Sequence, residues 1–224
     1  MGGPPPSGLR LIAGVPGRPR AQRLIAAITV GDQRTVERFL AEYPELARAR
    51  IATGATRAAA KDHWLDEISH YVYAGDTALH VAAAAHATNT VGALVAAGAE
   101  VGAVNRRGAQ PLHYAVDGGP DGPRWDPVAQ TATVGWLLDA GADPNAADKG
   151  GTTPLHRAIR NRCAPAAEVL LARGADAKLP NGRGSSAWQL ANWTTGKGGS
   201  GSAAAKAQQA QILRLLEAHG AREV

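Results

Sequence analysis

The sequence predicts an all-α fold built from similar helix pairs stacked side by side, and three observations carry this prediction. Three six-residue stretches are near copies that open with Gly and close with Leu-His, and they begin at Gly75, Gly108 and Gly151. The first two glycines lie 33 residues apart, and Gly151 lies 33 residues before a looser copy at Gly184. An apolar pair followed closely by Gly-Ala also recurs, at Gly98, Gly141 and Gly174. Self-similarity at such a period is typical of stacked repeat proteins.

Each copy carries the signals of a helix start. Thr77, Thr153 and Ser186 stand at the N-cap position, where a hydroxyl accepts a hydrogen bond from an otherwise unpaired backbone N–H. Pro111 and Pro154 stand at the first helical position, where the missing N–H costs nothing. The glycine after each apolar pair suits a left-handed helix end. Each unit is therefore predicted to be a helical hairpin, and because one hairpin cannot bury its apolar face alone, the units should stack into a solenoid.

These motifs resemble the ankyrin repeat family over roughly residues 21 to 221, because the period, the T-P-L-H-type helix start and the Gly-Ala turn recur in order. The resemblance implies about five helix-turn-helix units with projecting β-turn fingers. It also implies a binding surface rather than a catalytic pocket. A further implication is that His80, His113 and His156 hydrogen-bond backbone at the base of the fingers and tie neighbouring repeats together.

The pattern predicts one repeat domain, 21–224, preceded by a flexible Pro/Gly/Arg tail, 1–20. Three insertions interrupt the repeats: residues 51–74 at the finger edge, residues 117–127 between two helices, and a Gly/Ser linker at 194–202. We assign five repeats to residues 21–50, 75–107, 108–150, 151–183 and 184–221. The first and the last repeat are atypical.

Composition narrows the function classes. The net charge is +5, but the arginines are scattered and lack interleaved aromatics, so the sequence does not favour a nucleic-acid binder. No apolar run reaches the roughly 18 residues of a membrane span, and the start lacks the pattern of a secretory signal. The single cysteine, Cys163, excludes an intramolecular disulfide. We expect a cytoplasmic protein, monomeric outside its complex and without a cofactor, and the Ala/Arg/Gly-rich composition suggests a bacterial source.

The family resemblance implies that a partner protein binds at the finger tips and the adjacent ends of the first helices. Aligning the units gives the candidate partner-binding residues Tyr73, Asp76, Arg106, Arg107, Asp117, Lys149, Arg160, Arg183 and Trp193. The basic tips predict an acidic partner surface, and the alternative for each charge is a solvated face. Trp193 could instead pack under the linker that follows it, and Trp125 could contact a ligand or pin its own loop.

The insertion supports an alternative class, a metal-dependent or acid/base enzyme with its site on residues 61–86. On a helix over this segment, four polar residues would share one face: His63, Asp66, Glu67 and His70. Imidazoles and carboxylates can bind zinc, or act as acid and base. His86, where the family usually has Gly, would be a third histidine. An ordinary amphipathic helix with a solvated face gives the same pattern, and we favour it, so no catalytic or metal-binding residue is assigned.

Overall fold

The computed structural model describes residues 18–193 and 201–222, and within them the chain forms ten α-helices and two short strands. The helices are α1 (Arg18–Thr29), α2 (Gln33–Glu42), α3 (Ala78–Ala84), α4 (Thr88–Ala96), α5 (Pro111–Ala115), α6 (Pro127–Asp139), α7 (Pro154–Arg160), α8 (Ala164–Ala172), α9 (Ala187–Asn192) and α10 (Ala203–Ala218). The strands are β1 (Trp64–Leu65) and β2 (His70–Tyr71), and short 3-10 helices cover Pro44–Ala47 and Lys61–His63. The predicted all-α class is confirmed.

Two predicted segments fall wholly or partly outside the described residues. The tail assigned to 1–20 is described only from Arg18, which is already the first residue of α1. The linker assigned to 194–202 is described only at Gly201 and Ser202, and Ser202 caps α10 by accepting a hydrogen bond from the N–H of Ala205.

The helices group into two compact bodies, each larger than one repeat, which we call the first unit (residues 1–111) and the second unit (residues 112–224). The boundary lies at the start of α5. In the first unit, α1 packs on α2 and α3 on α4, and the two pairs meet through α1 with α3 and α2 with α4. Leu24, Ile28, Leu79 and Leu94 are buried completely or almost so. Each hairpin therefore covers its apolar side with the next hairpin, as the repeat pattern requires.

The second unit repeats this arrangement. Here α7 packs on α8 and α9 on α10, while α8 also contacts α6 and α10, and α7 contacts α9. Its most deeply buried large side chains include Leu137, Leu155, Ile159, Leu170, Ile212 and Leu216. The core of this unit is likewise a continuous apolar layer shared between hairpins.

One side-chain oxygen shapes each described finger of the repeats that start at Gly108, Gly151 and Gly184. It accepts hydrogen bonds from the backbone N–H groups two and four residues later, over 2.8 to 3.1 Å. The residues that provide this oxygen are Asn105, Asp148 and Asn181. Asn and Asp favour such turns because their short side chains can hydrogen-bond nearby backbone. The tip of each finger is therefore held by the residue that opens it.

The histidines of the Leu-His motif tie each repeat to the finger of the next, which confirms their expected role. The Nε2 atoms of His80, His113 and His156 lie 2.9 to 3.1 Å from carbonyl oxygens of the following finger. In His80 and His156, Nδ1 accepts a hydrogen bond from the backbone N–H of the capping threonine, at 3.1 Å in both cases. This pattern requires the neutral ring with its proton on Nε2.

The insertion at 51–74 contains a short β-hairpin over residues 64–71, so the predicted amphipathic helix is wrong. Strands β1 and β2 pair antiparallel, with Trp64 opposite Tyr71, and their rings meet edge to face at 4.6 Å. Ser69 has a φ of +50°, which a right-handed helix does not allow. Residues seven apart meet on a helix and also across this hairpin, so the spacing alone could not separate the two. The insertion closes at the finger edge, as expected, where Ile51 N–H donates to the carbonyl of Asp76 over 2.7 Å.

The close approach of two fingers in the second unit predicts an unequal effect of two glycine substitutions. Gly151 and Gly184 occupy the same finger position with φ of +67° and +78°. A Cβ at Gly151 would lie 2.4 Å from the backbone nitrogen of Gly182, whereas a Cβ at Gly184 would have no heavy atom within 4 Å. We expect Gly184→Ala to lower the free energy of unfolding by about 1 kcal/mol through backbone strain. Gly151→Ala should lower it by about 3 kcal/mol, because the finger must also move.

Urea unfolding followed by circular dichroism at 222 nm measures both substitutions. Equal losses in the two variants would contradict the tight contact between the fingers.

The neutral bridging histidines predict acid sensitivity. Burial lowers the pKa of His113 to about 4, and the guanidinium of Arg157 acts in the same direction. Burial also lowers the pKa values of His80 and His156. In the unfolded chain these rings titrate near 6.5, so below that pH the unfolded state binds protons that the folded state does not. The free energy of unfolding should therefore have its full value above pH 6.5 and decrease as the pH falls towards 4. The titration of His113 alone should account for a loss of about 3 kcal/mol.

Urea denaturation at pH 7.5, 6.0, 5.0 and 4.0 tests this acid sensitivity. His113→Gln is the control, because it keeps a polar side chain without the titration and should lose less stability across the same range. A free energy of unfolding that stays constant from pH 7.5 to pH 4.0 would contradict the expectation.

Candidate functional site

In the first unit, two arginines that are consecutive in the sequence lie at a finger tip, close to one aromatic ring. The Cζ atoms of Arg107 and Arg106 lie 4.9 and 5.8 Å from the ring centroid of Tyr73, within the range of cation–π contacts. Arg107 Nη1 also donates to the hydroxyl of Tyr73 over 3.1 Å. Both arginines are exposed and the tyrosine is half-buried. We call Tyr73, Arg106 and Arg107 the Tyr73 cluster.

The cluster joins the insertion to the finger. Tyr73 is one of the last residues of the insertion, and the finger supplies both guanidinium groups. Arg106 donates its backbone N–H to the carbonyl of Ala74 over 2.8 Å, and its guanidinium donates to the carbonyl of Ala55. The backbone N–H of Arg107 is held by Asn105 Oδ1 at 2.8 Å. The structure thus brings three of the predicted binding residues into direct contact.

Asp76 is fully buried, which corrects its prediction as a residue that contacts a partner. Its Oδ2 accepts the backbone N–H of Tyr73 over 2.6 Å, and its Oδ1 accepts from Asn105 Nδ2 over 2.8 Å. Asp76 therefore joins the end of the insertion to the opening residue of the next finger. The repeat alignment placed it on the finger, but could not show that its carboxylate points inward.

The residues of the alternative enzyme site are not gathered into a metal-binding group. Among residues 18–193 and 201–222, no three His, Cys, Asp or Glu side chains lie close enough to hold an ion. His63 precedes β1, and His70 lies on β2 with Nδ1 2.7 Å from the carbonyl oxygen of Tyr71. Asp66 and Glu67 follow β1 in the turn that leads to β2. His86 occupies the inter-helix turn with a φ of +51°, a conformation that suits the Gly expected there.

In the second unit, four candidates lie on two finger tips and two helix ends. Lys149 and Arg183 occupy neighbouring tips, which are joined where Gly182 N–H donates to the carbonyl of Gly150 over 3.0 Å. Arg160 ends α7 and Trp193 follows α9, which packs beside α7. The three cations are exposed, and Trp193 is 62% exposed. We call Lys149, Arg160, Arg183 and Trp193 the unit-two rim.

The carboxylates beside this rim are held by one arginine that the sequence did not single out. Arg157 on α7 reaches Asp117 Oδ2 at 3.2 Å and Asp148 Oδ2 at 3.5 Å. Asn161 Nδ2 also donates to Asp117 Oδ1, over 3.3 Å. Desolvation by burial raises the pKa of Asp148, but hydrogen bonds from backbone N–H groups and the charge of Arg157 lower it on balance. Asp117, predicted to contact a partner, is thus engaged within its own unit.

The insertion at 117–127 is pinned by buried polar groups, and Trp125 belongs to that network. Its Nε1 donates to Gln130 Oε1 over 3.0 Å, and Gln130 Nε2 donates to the carbonyl of Asp117 over 3.1 Å. The thiol of Cys163 donates to the carbonyl of Gly118 over 2.7 Å, and burial raises the pKa of this thiol to about 12. Trp125 therefore pins its loop, and Cys163 is a buried, unreactive thiol.

In the part of the chain that the structure describes, no helix combines the length and hydropathy needed to cross a bilayer.

Comparison with known families gives two matches. A family model described as ankyrin repeats (3 copies) matches residues 24–148, and another described as ankyrin repeats (many copies) matches residues 137–191. The first of these alone spans more than half of the chain. A search of curated proteins found no match. The helix pairs stacked within each unit, the bridging histidines and these two matches agree, and the chain belongs to the ankyrin repeat family, whose members are in general protein–protein interaction modules.

Proposed function

We propose that this chain binds a partner protein through acidic segments of that partner, using one surface in each of its two units. One is the unit-two rim in the second unit, and the other is the Tyr73 cluster in the first. The observation that carries the proposal is a contrast within the described residues: the exposed cations of these surfaces form no ion pair, whereas neighbouring carboxylates are engaged internally. The aligned sequence alone could not establish this contrast, because both acidic and basic residues occur at the aligned finger positions.

The electrostatic argument is clearest in the second unit. Lys149, Arg160 and Arg183 form no ion pair within the described residues, while Asp117 and Asp148 both bind Arg157. The rim therefore presents positive charge that the unit does not neutralise itself. A complementary negative surface would gain attraction there and would associate faster at low salt.

Trp193 supplies the apolar part of this surface. Its side chain is 62% exposed, although the indole is the largest apolar group a protein carries. Its backbone carbonyl accepts from Arg162 Nη2 over 2.9 Å, which fixes the chain at this point. A half-anchored, exposed tryptophan is typical of residues that dominate binding energy in protein interfaces.

The finger tips are held in place before any partner arrives. Asp148 and Asn181 fix the tips that carry Lys149 and Arg183. A rigid surface loses little conformational entropy on binding, so a modest contact area can give useful affinity. The cytoplasmic location, bacterial source and monomeric state expected from the sequence stay predictions.

Removal of two rim charges should weaken the complex measurably. The wild-type full chain is immobilised, partners are captured from a lysate of the native host, and the affinity of the purified partner is then measured by calorimetry. We expect Lys149→Ala/Arg183→Ala to weaken binding about tenfold, from about 0.7 kcal/mol for each charge. Trp193→Ala should weaken it about thirtyfold, as for an interface anchor.

Lys206→Ala/Arg214→Ala is the matched control, because it removes two exposed cations of α10 in the same unit. This control should bind the partner with the affinity of the wild type. Raising the salt concentration from 50 to 500 mM should reduce the difference in affinity between the wild type and the rim variant. A partner that binds the rim variant and the control equally well would contradict the proposed acidic contact.

A further inference from the structure

We propose that the Tyr73 cluster is a binding site for a phosphorylated side chain of the partner protein. This inference rests on the proposed function and names the chemical group that one of its two surfaces takes. It applies to the first unit alone, and the unit-two rim has no part in it.

The number of donors in the cluster exceeds what one carboxylate accepts. A guanidinium carries five N–H donors in a fixed fork. Arg106 uses one of them on the carbonyl of Ala55, and Arg107 uses one on the hydroxyl of Tyr73. A single carboxylate is matched by one guanidinium fork, so two guanidiniums beside the same ring suit a larger anion. A phosphate monoester offers three terminal oxygens and nearly two negative charges, which fits two forks.

The residues of the Tyr73 cluster are held in position by hydrogen bonds. Both arginines stand on a finger turn whose hydrogen bonds to Asn105 fix their backbone. The ring of Tyr73 lies close to both guanidiniums, and the backbone of Tyr73 is held because its N–H donates to the buried carboxylate of Asp76. The side chains are thus partly ordered before an anion binds, which reduces the entropy lost on binding.

No internal carboxylate satisfies these arginines. Neither Arg106 nor Arg107 forms an ion pair in residues 18–193 and 201–222, although both are exposed. Asp76 accepts from Tyr73 and Asn105, and has no ion pair with either arginine. The positive charge at this finger tip is therefore available to an external anion.

A histidine lies next to the cluster on the insertion. The carbonyl of His63 accepts from Val72 N–H over 2.9 Å, and the carbonyl of Val72 accepts from Ala55 N–H over 2.7 Å. The carbonyl of Ala55 in turn accepts from Arg106, so a chain of hydrogen bonds through Val72 and Ala55 connects His63 to that arginine. Desolvation lowers the pKa of His63, the charge of Asp62 partly offsets this, and the nearby charge of Arg106 lowers the pKa again. A bound dianion would offset the charge of Arg106, so the pKa of His63 should rise when the site is occupied.

The test is a titration of the full chain by ¹⁵N–¹H NMR with three probes. They are N-acetyl-O-phosphotyrosine amide, N-acetyl-glutamate amide and inorganic phosphate. We expect the phosphorylated probe to shift the amide resonances of Tyr73, Asn105 and Arg107, with a Kd at least tenfold below that of either other probe. The imidazole pKa of His63, followed by NMR, should rise on saturation with the phosphorylated probe.

Arg107→Lys keeps the charge and removes the fork, and should weaken binding of the phosphorylated probe at least fivefold. Arg106 also holds the insertion through Ala55, so Arg107 is the safer position to change. Tyr73→Phe tests the positioning hydroxyl, and should weaken binding about threefold while the far-ultraviolet circular dichroism stays unchanged. Lys206→Ala/Arg214→Ala is the control, because both cations lie on α10 outside the two proposed surfaces, and it should bind the probe like the wild type.

Three outcomes would overturn the inference: glutamate binding as tightly as the phosphorylated residue, inorganic phosphate doing so, or Arg107→Lys having no effect. The second would indicate a site for free anions. Failure here is distinguishable from failure of the proposed function. If the rim variant loses the captured partner while the phosphorylated probe does not bind, the proposed function stands and this inference falls.

Discussion

A helical hairpin of this chain has one apolar side that it cannot cover by itself, and the rest of the structure follows from this constraint. The paired helices are short, and α3, α5, α7 and α9 have only five to seven residues. Helices of this length are marginal alone, so their stability must come from packing on neighbours. Within each unit, the bridging histidines complete the stack, since each one donates a hydrogen bond to the finger of the next repeat.

Stacking uses the broad faces of the hairpins and leaves their edges free. At these edges the chain treats its two signs of charge differently. Asp76 is buried in the base of a finger, while Asp117 and Asp148 are paired with Arg157. Lys149, Arg160 and Arg183, by contrast, form no ion pair with any residue that the structure describes. The finger edges are therefore positive, because the acidic side chains there are buried or paired within their own unit and these basic side chains are not.

Periodic features could be predicted from the sequence because each recurs with its neighbours in a fixed order. The helix starts, the fingers and the histidine bridges all belong to this group. The insertion could not be predicted in the same way, since residues seven apart meet on a helix and also across the hairpin of Trp64 and Tyr71. The role of Arg157 depends on contact with Asp117, 40 residues away, which no local pattern reveals. The alignment also placed Asp76 on the surface, because it gives a position on the finger and not the direction of the side chain.

In the finger turns, different residues hold the backbone of the turn and present a side chain at its tip. Asn105, Asp148 and Asn181 hold the backbone of each tip through their own side chains, so Arg107, Lys149 and Arg183 contribute little to the turn itself. Substitutions at those tip positions can therefore accumulate without unfolding the repeat. Over evolutionary time, such a chain can exchange one interaction specificity for another, and an engineer can randomise the same positions to select new binders on an unaltered scaffold.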